Sequence, residues 1–228
     1  MIIAVLGGKG GVGTSTVAFE LAATLDAVVV DADLAMADLP GGRGPDVHDV
    51  LGGRASPIEA VREHSGVRVL PCGRSLAGAR ASDPTKVGSV LEEVAGEYGT
   101  TIVDCPSGLR ADTAIPLLAA DACVLVTTPS DGALAAARRV RRFVRSRAVG
   151  IARIALNRTS EVPPAETVRE LLGAPVVSIP ESTTVARAWE LGVPVGTFAP
   201  ETEPAIRFQQ LSEEVAESLP AADSSRRS

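Results

Sequence analysis

Apolar and polar residues fall in blocks along this chain, and the period of the pattern changes from block to block. Residues 1–6 (MIIAVL) form an unbroken apolar run that ends in Gly7-Gly8, the pattern of a strand buried on both faces. Residues 14–25 then place Val17, Leu21 and Leu25 at four-residue spacing, with Ala18 and Ala22 beside them. That spacing predicts a helix packing one stripe on a sheet. Residues 27–30 (AVVV) read as a second buried strand, and further strands are predicted over 67–70, 100–103, 123–126, 154–156 and 176–179. Between them, helices are predicted over 84–98, where Val87, Val90, Leu91 and Val94 share a stripe, and over 131–147, 164–172 and 183–191. A last amphipathic stretch, 204–219, carries Leu211, Val215 and Leu219 on one side. Strand and helix alternating in this way predict parallel strands joined by crossover helices: a doubly wound, mostly parallel α/β sheet flanked by helices.

Glycine and proline are densest over 40–53 and 71–84. These stretches read as loops flanking two short helices rather than as a domain boundary, because no long polar linker appears. One domain over 1–219 is expected, followed by a disordered tail, 220–228. A chain of 228 residues with 45% hydrophobic content needs no disulfide or metal staple. Cys72, Cys105 and Cys123 lie far apart with no C-x-x-C pair, which argues against a disulfide framework and suits a reducing cytoplasm. The longest charge-free run is ten residues, about half of what a membrane-spanning helix requires, and the N-terminus lacks the basic flank of an export signal. The expectation is a cytoplasmic protein. A net charge of −6 and 3% aromatic residues argue against a globally basic nucleic-acid binder and against base-stacking platforms.

The first strand runs into Gly8-Lys9-Gly10-Gly11-Val12-Gly13-Thr14-Ser15-Thr16 before a helix begins. Glycines let successive N–H groups turn inward, and the helix dipole adds positive potential, which together suit a polyphosphate. The segment matches Gly8, Gly13 and Ser15 of the phosphate-loop pattern G-x-x-x-x-G-K-[ST], but Thr14 stands at the lysine position. Ser15 can place its hydroxyl on Mg²⁺ or cap the helix. Asp104 closes a buried strand, where an uncompensated carboxylate is costly. For Asp104, as for Asp33, the alternative to a magnesium role is capping a loop.

Lys9 within G-K-G-G-V-G resembles the deviant phosphate loop of the MinD/ParA family of ATPases. Further segments resemble that family in order: Asp31-Ala32-Asp33-Leu34 its switch I, Asp104-Cys105-Pro106-Ser107-Gly108 its switch II, Asn157-Arg158 its adenine-reading position, and Ile179-Pro180-Glu181 the loop closing over the base. The resemblance covers residues 1–219. It implies ATP and Mg²⁺ as cofactors, with residues 8–16 on the phosphates. It further implies Ser15, Asp33 and Asp104 serving the metal, and Asn157, Arg158 and Pro180 framing the adenine. Lys9 would reach across a nucleotide-dependent homodimer, and Lys9 and Asp33 would be the catalytic pair. The implied role is ATP-driven positioning of division machinery, chromosomes or other cargo. Thr14 opens the alternative of a hydrolysis-deficient, nucleotide-sensing scaffold that works by partner binding.

Along the predicted helix 131–147, Arg138, Arg141, Arg142 and Arg145 fall on one side. They suit either a solvated surface helix or a docking strip for an acidic protein or DNA phosphates. The terminal stretch 220–228 holds no bulky apolar residue, so the amphipathic membrane anchor of bacterial MinD is not expected here.

Overall fold

The computed structural model describes residues 1–108, 111–160 and 165–219. The first strand, β1 (Ile2–Gly7), is the strand around which the chain winds. Its Ile2, Ala4 and Leu6 lie in one hydrophobic core and its Ile3 and Val5 in another, because successive side chains of a strand point to opposite faces. β2 (Val28–Asp31), β4 (Val67–Leu70), β5 (Thr101–Asp104), β6 (Ala122–Thr127), β7 (Gly150–Thr159) and β8 (Val176–Pro180) join it in parallel. β3 (Arg62–His64) closes one edge antiparallel to β4, and the order across the sheet is β3-β4-β2-β5-β1-β6-β7-β8.

Helices cover both faces. α1 (Thr14–Thr24), α9 (Thr183–Leu191), α10 (Val195–Phe198) and α11 (Glu203–Ser218) bring Val17, Leu21, Ala188, Val195, Phe208 and Leu211 onto the Ile3 face. α5 (Val87–Tyr98), α6 (Ala111–Ala119), α7 (Asp131–Ser146) and α8 (Ala165–Leu172) bring Leu91, Leu117, Val140 and Val168 onto the Leu6 face. This is the doubly wound sheet that the alternating pattern predicts. One charge sits in the Ile3-side packing: Glu20 of α1 is buried and accepts from the Val195 N–H at 2.8 Å, tying α1 to α10. No helix among the described residues is long and apolar enough to cross a membrane. The three cysteines are buried and unpaired.

The structure departs from the sequence expectations where local chemistry outweighs pattern. β3 is polar (REH), as an edge strand can be, and so gives no apolar signal. α6 is an unpredicted helix that carries Pro116 inside it. The two glycine- and proline-dense stretches are not simply loops. α2 (Val47–Leu51) lies in the first and α4 (Leu76–Ala81) in the second, each started by a side-chain cap: Asp46 accepts from Asp49 N–H, and Ser75 from Gly78 N–H. α3 (Pro57–Ala60) stands between them with its own Ser56 cap. The helix expected from 84 is a 3₁₀ turn over Pro84–Lys86 followed by α5, and β7 extends well beyond the expected 154–156. Residue 164 and the expected tail, 220–228, lie outside the described residues.

α6 presents two adjacent leucines to opposite environments: Leu117 is fully buried, whereas Leu118 is 61% exposed. Leu117→Ala should cost about 2–5 kcal/mol of unfolding free energy. Leu118→Ala should change it by less than about 0.5 kcal/mol. Urea denaturation of the two variants checks the pair.

Candidate functional site

β1 stops at Gly7, and the backbone turns through residues 8–13 into α1. Two glycines in this turn are dictated by their surroundings. Gly13 has φ 93°, and a Cβ there would lie 2.3 Å from Asn157 Nδ2. A Cβ on Gly8 would lie 2.6 Å from the carbonyl carbon of Ala136 and 2.8 Å from the nitrogen of Ala137, so the loop rests directly on the α7 backbone. No described side chain caps α1, and its first turn holds no acidic residue. Its leading N–H groups and the positive end of its dipole are therefore left for a ligand.

Below this turn β2 and β5 end side by side, with Asp31 opposite Asp104 in register and both buried. Asp31 accepts from the N–H groups of Asp33 and Asp38 at 3.2 Å and of Leu39 at 3.4 Å. Burial nonetheless pushes its carboxyl up to about 7. Asp104 is raised well above the usual carboxylate range, by burial first and the Asp31 charge second, while a hydrogen bond with the Ser15 hydroxyl pulls it down. Its Oδ1 has no hydrogen-bond partner among the described residues. A buried carboxylate oxygen left in this state calls for a cation or a donor.

Above the two strand ends lies a cleft of about 370 Å³, lined by Gly13, Thr14, Ser15 and Thr16 of the turn and by Asp33, Asp38, Asp104 and Arg158. Gly10 and Gly11 also line it. Arg158 is the one cationic side chain among the described residues lining it. Thr14 offers a hydroxyl where a phosphate loop ordinarily offers an ammonium. Asp33 faces the cleft while its Oδ1 accepts from Ala35 N–H at 3.2 Å and Met36 N–H at 3.1 Å, so it also caps the turn after β2. Among the described residues no three His, Cys, Asp or Glu side chains are grouped to hold a metal by themselves. Ser15, Asp33 and Asp104 are hard oxygen donors of the kind Mg²⁺ takes alongside phosphate oxygens, and the unpartnered Asp104 Oδ1 fits that need.

The remaining expected site residues divide. Gly8 and Val12 are structural in this arrangement: Gly8 packs on α7, and Val12 is buried with its carbonyl accepting from Asn157 Nδ2 at 2.9 Å. Asn157 Oδ1 accepts from Arg158 N–H at 3.0 Å, so both ends of this amide are engaged beneath the loop. Lys9 is exposed near Gly132 of α7 and lines a neighbouring cavity of about 340 Å³ with Arg158, Ser160 and Glu181, outside the main cleft. Pro180 ends β8, where it pairs with Thr159. On α7, Arg138, Arg142 and Arg145 are exposed, but Arg141 is half-buried against Gly173 and leaves the strip, where exposed Arg139 joins it. Asp31, Asp38 and Trp189 were not among the expected site residues. Asp31 closes an apolar run just as Asp104 does, and that signal could have found it; Trp189 reaches the cleft from α9 without any sequence pattern.

No family model matches the chain. It is 32% identical over 203 residues to an uncharacterized ATP-binding protein of Methanocaldococcus jannaschii, covering 82% of this chain and 77% of that one. Its structure superimposes on the cell division ATPase MinD of Pyrococcus furiosus with a TM-score of 0.89, at 29% identity over 95% of this chain and 98% of that one. It superimposes similarly on the septum site-determining protein MinD of Pyrococcus horikoshii OT3, solved as a complex with Mg-ADP, with a TM-score of 0.88 at 29% identity, covering 94% and 95% of the two chains. The sheet order and the glycine turn at the end of β1 define a phosphate-loop α/β protein. Within that class, the chain belongs to the MinD/ParA family.

Gly8→Ala should destabilise the fold by about 1–3 kcal/mol, because a backbone cannot yield as a side chain can. Gly10→Ala, whose Cβ would meet nothing nearer than Ser107 Oγ at 3.7 Å, should leave stability within about 0.5 kcal/mol. Thermal unfolding of both distinguishes them. A second expectation concerns pH. The carboxyls of Asp31 and Glu20 ordinarily titrate near 3.8 and 4.5, and burial raises each to about 7 in the fold. The native state thus binds more protons between those limits, so the stability linked to these groups is full below about 4 and is lost as pH rises through about 7. Urea titrations across that window should show the decline, and Glu20→Gln, which keeps an acceptor for Val195 N–H, should shrink it.

Proposed function

We propose that this chain binds Mg-ATP in the cleft at the end of β1 and works as a nucleotide-dependent homodimer in the cytoplasm. Its role would be the positioning of division machinery, chromosomes or other cargo. The observation that carries the reading is the uncapped start of α1 set directly over Ser15 and the buried Asp104, whose Oδ1 has no partner among the described residues. The turn would take the phosphates. Ser15 and Asp104 would hold magnesium, and Asp33 would stand in its outer shell or orient the attacking water. Bound magnesium would neutralise charge on the phosphate oxygens. The cavity beside Arg158, Ser160 and Glu181 suits the base, with Asn157 supporting that wall from beneath the loop and Pro180 alongside.

Thr14 argues that hydrolysis is slow. A threonine hydroxyl gives one neutral hydrogen bond of about 1 kcal/mol, against about 1.5–3 kcal/mol for a charge-assisted one. Losing a preorganised donor lowers rates by about 10²–10³. Lys9, exposed and outside its own cleft, is available to a partner's phosphates and could restore part of that charge in the dimer. The second reading, a scaffold that senses nucleotide without hydrolysing it, rests on the same threonine. Arg138, Arg142 and Arg145 would serve either reading as a docking strip for an acidic protein or DNA.

Titration calorimetry should show Mg-ATP binding that Ser15→Ala and Asp104→Asn each weaken about tenfold or more. Absence of heat with ATP and ADP, with and without magnesium, would overturn the proposal. In a steady-state assay Thr14→Lys should turn over ATP about 10²-fold faster than the native chain. Equal turnover in both would instead assign the compensation to Lys9 of the second protomer.

A further inference from the structure

Farther along α1, a cavity lies between that helix, α10 and α11, and it shares no lining residue with the main cleft. Its volume of about 230 Å³ suits only a small ligand. Ala23, Pro194, Pro200, Ala205 and Phe208 supply apolar walls, and Glu20 is the one charged residue that lines it.

Glu20 is 4% exposed, and its Oε1 accepts from Val195 N–H at 2.8 Å. That is the one hydrogen bond its carboxylate accepts among the described residues, with a weaker pull from the Gly196 N–H. Tying α1 to α10 thus uses at most half of the roughly four acceptor positions of a carboxylate. Oε2 is left without a donor, yet it is not among the sealed, unpartnered side-chain atoms of the described residues. It therefore keeps open surface, and the cavity is the space that Glu20 lines.

The surrounding helices give this oxygen no cation. Neither α1 nor α10 contains one, and the single arginine of α11, Arg207, is turned to Glu203 at 3.6 Å and to Gln210 at 3.0 Å. Thr24 spends its hydroxyl proton on the Glu20 carbonyl oxygen at 3.0 Å, and Gln209 Nε2 donates to Glu213 at 3.0 Å. Thr197 keeps a hydroxyl, but a neutral donor leaves the charge of a buried carboxylate uncompensated. Mg²⁺ or Ca²⁺ would find too few oxygen ligands among these walls, and an anion would be repelled. A primary ammonium brings N–H donors and positive charge to one atom, and the proline, alanine and phenylalanine walls take a short alkyl body. We propose that this cavity is a binding site for a short-chain alkylammonium, its nitrogen paired with Glu20 Oε2.

The backbone amides of Val195 and Gly196 report on the Glu20 carboxylate, so amide NMR of the labelled protein reads the site directly. The probes are pentylammonium, pentanol (the same length without charge) and pentanoate (the opposite charge). Millimolar pentylammonium should move the Val195 and Gly196 resonances, and pentanol and pentanoate should bind about tenfold more weakly or worse. Glu20→Gln keeps an acceptor for Val195 N–H but removes the charge, and should bring pentylammonium down to the affinity of pentanol. Gln209→Lys, at an exposed position lining the cavity, places a competing ammonium there without disturbing Glu20. It should weaken pentylammonium about tenfold and leave pentanol unchanged. Unmoved Val195 and Gly196 signals, equal affinity of the native chain for pentanol, or a preference for pentylammonium that survives both substitutions would overturn the proposal.

Discussion

β1 is buried on both sides, and every distance at the site is set from where it ends. Ile2, Ala4 and Leu6 are anchored in one core, and Ile3 and Val5 in the other. The strand can therefore neither slide nor rotate without exposing apolar area worth about 25 cal/mol per Å². Its neighbours inherit that rigidity, since β5 and β6 pair with it directly and β2 pairs with β5. The loop beyond Gly7 is held from three sides: by the α7 backbone against Gly8, by Asn157 against Val12, and by the Gly108 N–H on the Gly7 carbonyl at 2.8 Å. A glycine-rich turn would otherwise be the most mobile part of the chain. Here it is a fixed edge.

That rigidity lets two carboxylates be held where water would normally be needed. Asp31 is supported by three backbone N–H groups, yet burial still raises it, and Asp104 has less support. The two oppose each other across adjacent strands and face a turn that offers positive backbone potential but keeps its one lysine, Lys9, outside the cleft. The site thus has an imbalance of negative charge that a divalent cation with a polyanion would resolve.

Most of the fold could be read in the sequence for one physical reason. Strands buried on both faces carry continuous apolar runs, and β1, β2, β5 and β6 do so. β3 could not be read because an edge strand needs no apolar residues, nor α6 because Pro116 interrupts its helical pattern. The glycine turn with Ser15, and Asp104 at a strand end, are local patterns and were visible. The Asp31–Asp104 pair depends on strand order, and the Asn157–Val12 bond spans 145 residues, so neither has a local signature. Arg141 shares its helical face with Arg138 and Arg145 by spacing alone, and only the proximity of Gly173 draws it out of the strip.

The three thiols have a consequence beyond their packing. Cys72, Cys105 and Cys123 are all interior, and burial raises Cys105 well above its ordinary value and Cys123 to about 12. A sulfur kept protonated is a poor nucleophile, so an alkylating reagent meets no reactive cysteine on the intact surface. Tagging would proceed only at moments when part of the sheet or its flanking loops opens. The native sulfurs thereby give this protein an internal clock for its own breathing, with no label to be engineered.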